Sequence, residues 1–414
     1  KSWKGKLIGM KILKRVTAVL LTAVVAVSFT ACGGRSEHAK KLNIDTAVSI
    51  NIWYQDDAYT SYLDYIAQQF HKANEFITVN PVKVEENNLL DAVYNGSIAQ
   101  NNVADVYLME ASDMQRAYLM GLTAENDAYT QYYSQKHFPV TAVNAACYEG
   151  KLYGYPVTFH TAVMVYNKKY ATAPENFEQI EAFLNSYQVT DENKDVNMIV
   201  GWDTQDLWTN YAFGGSYVDN GGAQGEDAES DVQTEALKAA MTEYAALQNT
   251  FGIVDKTQEE YKQMFINNQL IYTILDSTQL ADLNACGVDY GICAVPGAKT
   301  GFGTQSLSDT ILAMVNPYSE NTDTAKAVAQ AISYDYADLL EKDTGYISAR
   351  TDVADKNKKV LYQPLYEVYA QSDSYAKYIG ADEFYVRYSI LLHNIWKGED
   401  LNESVDAFIK AVSR

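Results

Sequence analysis

Cysteine, histidine and positive charge are all scarce in this 414-residue sequence. Its four cysteines form no Cys-x-x-Cys pair and its five histidines are scattered, so the clustered spacing of a zinc site is absent. Lys and Arg number 32 against 53 Asp and Glu, and no long basic run occurs, which argues against sequence-independent nucleic-acid binding. There is no Gly-x-Ser-x-Gly elbow, no phosphate loop with its Lys-Ser/Thr, and no paired His/Glu metal motif. No internal repeat of 20–50 residues is visible. What is present is apolar and aromatic: 47% hydrophobic residues and 12% aromatic ones exclude global disorder. The 33 tyrosines exceed what one core needs, and the length exceeds what one core serves, so two lobes are expected.

Charge is unevenly distributed. Residues 1–31 carry six basic residues and no acid, which leaves 26 basic against 53 acidic residues, a net charge of −27, from Cys32 onward. Lys11, Lys14 and Arg15 precede an uncharged run, Val16 to Phe29, and then Phe29-Thr30-Ala31-Cys32-Gly33-Gly34. Small residues before a cysteine are the bacterial lipoprotein pattern, with Cys32 as the lipidated thiol, residues 1–31 as signal peptide and Met10 as a candidate start. A transmembrane anchor is the competing reading; the run's 14 residues fall short of the roughly 20 that span a bilayer. Residues 32–46 read as a lipidated tether. Cys147, Cys286 and Cys293 are an odd set; Cys286 with Cys293 is one conceivable bridge, and free buried thiols are the alternative.

Beyond the tether, strands alternate with amphipathic helices. Ala47–Tyr54 alternates as a strand, and a helix follows with Leu63, Ile66, Ala67 and Phe70 on one face and a Ser61/Asp64 capping box. Val79–Val84, Ala104–Met109, Ala162–Tyr166, Met198–Gly201, Leu270–Leu275, Tyr290–Ala294 and Thr310–Val315 read as further strands. Ser112 reads as a helix cap, Gly214–Gly225 as a glycine-rich loop, and 382–396 and 401–412 as helices. The pattern predicts an α/β sheet of largely parallel strands, interrupted at Glu149–Lys169 and Pro296–Ser308.

Several elements in order resemble the carbohydrate-binding type of solute-binding proteins of bacterial ABC importers. They are the lipobox, Ile52-Trp53, Ala104-Asp105-Val106, and Gly150-Lys151-Leu152-Tyr153-Gly154-Tyr155-Pro156 running into Val165-Tyr166-Asn167-Lys168. After these come Phe177-Glu178-Gln179-Ile180, Phe265-Ile266-Asn267-Asn268 and Gly345-Tyr346-Ile347-Ser348-Ala349-Arg350. The resemblance covers residues 46–414. It implies a two-lobe, periplasmic-binding-protein-like α/β fold whose discontinuous lobes close on a ligand cleft. Lobe 1 is then 47–157 plus 305–371 and lobe 2 is 158–304 plus 372–414, with crossovers near Pro156–His160, Gln305–Asp309 and between Gln371 and Asp382. It also implies a carbohydrate solute, ABC permease subunits as partners, a lipid-anchored extracytoplasmic monomer, no cofactor, no catalysis and no nucleic acid.

A sugar presents apolar ring faces and a hydroxyl rim, which call for aromatic rings and for carboxylates or amides respectively. In the family pattern Trp53 and Asp57 follow the first strand. Glu110 and Asp113 end the Ala104 strand, and His160 follows the first crossover. Trp202, Asp203 and Trp208 follow a later strand. Asp276 stands where the family carries a stacking tryptophan, and Tyr385 is a further ring. Competing structural roles are a core position for Trp53 or Trp208, helix-start acids for Asp57 and Asp113, and a satisfied hinge histidine for His160. Binding of a polyamine, ferric iron or an organic anion is the alternative function, and a sensory or adhesive surface lipoprotein is another.

Overall fold

The computed structural model describes residues 41–85, 88–221, 231–353, 359–378 and 380–412. The signal segment, Cys32 and residues 222–225 of the glycine-rich stretch lie outside them. Among the described residues no helix is long and apolar enough to cross a membrane.

Thirteen strands occur in the described chain: β1 Val48–Tyr54, β2 Ile77–Lys83, β3 Val106–Glu110, β4 Cys147–Tyr148, β5 Lys151–Leu152, β6 Tyr155–Asn167, β7 Met198–Val200, β8 Val218–Asp219, β9 Asp231–Val232, β10 Leu270–Asp276, β11 Tyr290–Cys293, β12 Leu307–Val315 and β13 Asp373–Ser374. Nine form one sheet with path β2-β1-β3-β12-β6-β10-β7, β11 also pairing β6 and β13 pairing β12. The expectation of largely parallel strands needs correcting. β1 is parallel to β2 and β3, β10 to β7 and β12 to β13, but β12 runs against β3 and β6, and β6 against β10 and β11, which makes the sheet mixed. These two return strands join the outer parallel groups.

β6 serves two sets of partners. Its residues 155–161 pair with β12, whereas Ala162–Tyr166 pair with β10, and β11 joins over Met164–Asn167. It is buried almost throughout, which suits its continuous apolar and threonine-rich composition.

Local chemistry corrects several expectations. The helix Thr60–Ala73 buries Leu63, Ile66 and Phe70, but Ser61 and Asp64 do not form its cap. A 3₁₀ turn, Asp57–Tyr59, precedes it, and Asp56 caps that turn by accepting from the Ala58 amide. Ser112 likewise does not cap the helix Met114–Leu119; it lies within a 3₁₀ turn and its amide donates to Asp309. Gly214 and Gly215 belong to the helix Leu207–Gly215. A Cβ at Gly214 would lie 2.2 Å from the Tyr388 hydroxyl and one at Gly215 2.3 Å from the Gln305 carbonyl, so these glycines permit close packing. Cys147, Cys286 and Cys293 are all free, and Cys286 is exposed rather than packed as a small apolar residue.

The segment after β13 is fastened by a buried lysine. Lys377 is 2% exposed, and its ammonium donates to the carbonyls of Asn144, Ala145 and Cys147 at the end of the helix Val140–Ala146. Those carbonyls carry the negative end of the helix dipole, so a cation there is favoured despite its burial. Burial lowers the Lys377 pKa to about 8.

Candidate functional site

Three strands end at one place. Tyr54 closes β1, Glu110 closes β3 and Asp276 closes β10, and all three line a cavity of about 610 Å³. Carboxyl ends of strands leave loops free to face a ligand. A second compartment of about 710 Å³ adjoins it, and Glu110, Asp113, Arg116 and Trp208 line both.

His160 sits beside the point where β6 changes partners, and this brings it to the end of β10. Its Nδ1 lies 3.0 Å from Asp276 Oδ2. Burial disfavours its charge, but Asp276, Asp309 and Glu110 outweigh that and hold its pKa up at about 9. Burial likewise opposes ionisation of Asp276, and His160 with the Thr278 donors holds it below the usual carboxylate range. Opposite them, the Tyr346 hydroxyl donates to Asp56 at 2.6 Å and Tyr59 shares a 2.6 Å hydrogen bond with Thr158.

A run of aromatic rings starts in the cleft and passes from Tyr375 to the buried Tyr385. The His160 and Trp208 rings are 4.5 Å apart between centroids, Trp208 stacks on Tyr375 at 6.0 Å, and Tyr375 stacks on Tyr385 at 3.9 Å. Trp208 is half-buried, so part of its face is open to the cleft.

The structure brings Glu110, Asp113, His160, Trp208 and Asp276 together on this cleft. The other candidates lie elsewhere. Trp53 packs with Leu89, Leu90 and Val93 in a core cluster. Asp57 points outward, 2.8 Å from Lys83, and its neighbour Asp56 lines the cavity. Trp202 is fully buried, its indole N–H donating to Asn210 at 2.8 Å. Asp203 accepts from the amides of Gln205 and Gln258; Gln258 in turn reaches the cavity. Tyr385 is buried, its hydroxyl accepting from Asn220 and from the Ala376 amide. Residues outside the candidate set also line the cleft, notably Asp56, Arg116, Asp309, Tyr346 and Tyr375. Tyr346 belongs to the Gly345–Arg350 motif, which was the available signal for it; long-range packing delivers the others.

The combination of acceptors, donors and ring faces can hold a polyhydroxylated solute. Among the described residues no group of three or more His, Cys, Asp and Glu is placed to hold a metal ion.

The mixed sheet and its cleft are those of two-lobe binding proteins. The fold matches a cyclo/maltodextrin-binding protein complexed with maltotetraose, at a TM-score of 0.73 and 16% identity over 90% of this chain and 98% of that one. It also matches the extracellular solute-binding protein from Staphylococcus aureus in complex with maltose, at a TM-score of 0.72 and 18% identity, covering 89% and 98%. Residues 65–366 match the bacterial extracellular solute-binding protein family, and the chain belongs to it. Among relatives, the maltodextrin-binding protein MdxE of Bacillus subtilis is 22% identical over 70% of each chain. The galactooligosaccharide-binding protein of the same organism is 21% identical over 77% of this chain and 76% of its own.

Proposed function

We propose that this chain is the substrate-binding lipoprotein of an ABC importer, capturing a carbohydrate in the cleft and delivering it unmodified to a membrane permease. The observation that carries the reading is the convergence of three strand ends, with their carboxylates, on the half-buried face of Trp208. The names of the two relatives and the sugars held by the two structural neighbours support it. Glu110, Asp113, His160 and Asp276 take the hydroxyl rim and Trp208 a ring face. The protein acts as a monomer without chemical turnover. Its lobes are 47–157 plus 305–371 and 158–304 plus 372–414; β6 changes partners between Thr161 and Ala162, a few residues past the first boundary. Cys32 carries the lipid that holds it at the outer face of the membrane; replacing Cys32 by Ser should abolish incorporation of labelled palmitate.

Binding favours the closed arrangement by mass action and raises the melting temperature. A thermal-shift screen against mono- and oligosaccharides, polyamines and ferric complexes tests the reading. A shift with at least one saccharide is expected; shifts with polyamine or iron alone would overturn it.

A further inference from the structure

The second compartment is unlike a site for an uncharged solute. Glu110, Asp113, Asp309 and Asp382 line it, and Arg116, the one basic residue among the described residues lining it, is engaged 2.8 Å from Asp91. Asp309 is held rigidly, accepting from the amides of Ser112 and Thr310. Desolvation pushes Glu110 up although the residue stays exposed, with Asp309 adding and His160 opposing; burial also pushes Asp113 up, with Asp309 and Asp382 adding and Arg116 opposing. His160 offsets part of the repulsion at Glu110 and Asp309, and Arg116 part of it at Asp113, but among the described residues no basic side chain other than Arg116 lines the compartment itself.

Two further features of the same walls point to a ligand. Trp208 and Tyr375 offer ring faces, which attract cations through their quadrupoles. Gln115 lines the compartment at 6% exposure, and its Nε2 donor has no partner. A buried amide donor without an acceptor is uncommon, and a hydroxyl or ether oxygen of a bound molecule would satisfy it.

We propose that this compartment receives a protonated amine, so that the solute is an amine-bearing saccharide rather than a neutral or acidic one. The proposal rests on the carbohydrate reading of the cleft and narrows it. The ammonium sits among Glu110, Asp113 and Asp309 with charge-assisted hydrogen bonds, Trp208 and Tyr375 flank it, and Gln115 donates to a neighbouring oxygen.

The test is calorimetric titration of the purified full chain with glucosamine oligomers, their N-acetylated counterparts, neutral gluco-oligosaccharides of equal length, and spermidine. The amine-bearing oligomers should bind about tenfold more tightly than the N-acetylated ones, and added salt should shrink that preference. Asp113→Asn and, on a different wall element, Glu110→Gln should each weaken the amine-bearing oligomers by a larger factor than the neutral ones, so that the preference shrinks. Equal or tighter binding of the neutral oligosaccharides would overturn the amine and leave the carbohydrate reading standing. Binding of spermidine alone, or of none of the four, would overturn both.

Discussion

The two compartments of the cleft handle charge in opposite ways. In the first, the fold supplies its own partners: His160 faces Asp276 at 3.0 Å as a counterion, and Asp56 accepts from the neutral Tyr346 hydroxyl. In the second, four carboxylates share a space whose arginine is engaged by Asp91, and His160, which is not among its lining residues, offsets only part of the charge on Glu110 and Asp309. A paired site is stable when empty and selects by geometry. An unpaired site is destabilised when empty and selects by charge, since the ligand brings the missing ion. Trp208 borders both, so it reports on either.

Breaking the paired compartment should have the largest effect. Asp276→Asn removes the hydrogen-bonded counterion of the half-buried His160 and should cost about 3 kcal/mol in denaturant unfolding. The His160 share of the pair is complete below its unfolded pKa of about 6.5 and is lost as pH rises through about 9. The Asp276 share is complete above its ordinary carboxylate value and is lost as pH falls through its lowered one. The gap between wild type and variant should therefore be widest near about pH 5–6 and close above about pH 9.

Trp208→Ala tests the shared wall: saccharide affinity should fall about 100-fold by calorimetry, with little loss of stability because the ring is only half-buried. The unpaired compartment should respond with the opposite sign. Asp113 has its pKa raised in the folded state, chiefly by burial, so its ionised form opposes folding at neutral pH. Asp113→Asn should stabilise the empty protein by about 0.5 kcal/mol, and the gain should vanish as pH falls through the raised carboxyl pKa. The smallest effect belongs to Asp57→Asn, since that side chain is 77% exposed and lies off both compartments. Saccharide affinity should be unchanged, and a marked loss would move the cleft's boundary.

Much of the fold was legible because hydrophobic periodicity reports burial. The helix 401–412 occurs at the expected bounds, and the Leu63-Ile66-Phe70 face is the buried one. The mixed sheet was not legible, because antiparallel return of β6 and β12 depends on pairing across more than a hundred residues. The candidate site divides for a related reason. Strand ends could be found, but not which of two adjacent residues turns toward the cleft: Asp56 lines it while Asp57 meets Lys83. Trp202 and Trp208 looked alike in sequence. The helix Leu207–Gly215 supplies Asn210 to bury the first and carries the second at its start. Asp309 and Tyr375 come from β12 and from the segment after β13, which reach the cleft only through the folded topology.

The long strand β6 also bears on how the protein melts. One continuous strand gives its first half to the ladder with β12 and its second half to the ladder with β10, so neither half of the sheet can come apart without opening the other's edge. Although the chain is long enough for two independent units, the described residues cluster as one compact body. The expected calorimetric signature is a single transition whose van't Hoff and calorimetric enthalpies agree, an all-or-none unfolding usually associated with much smaller proteins.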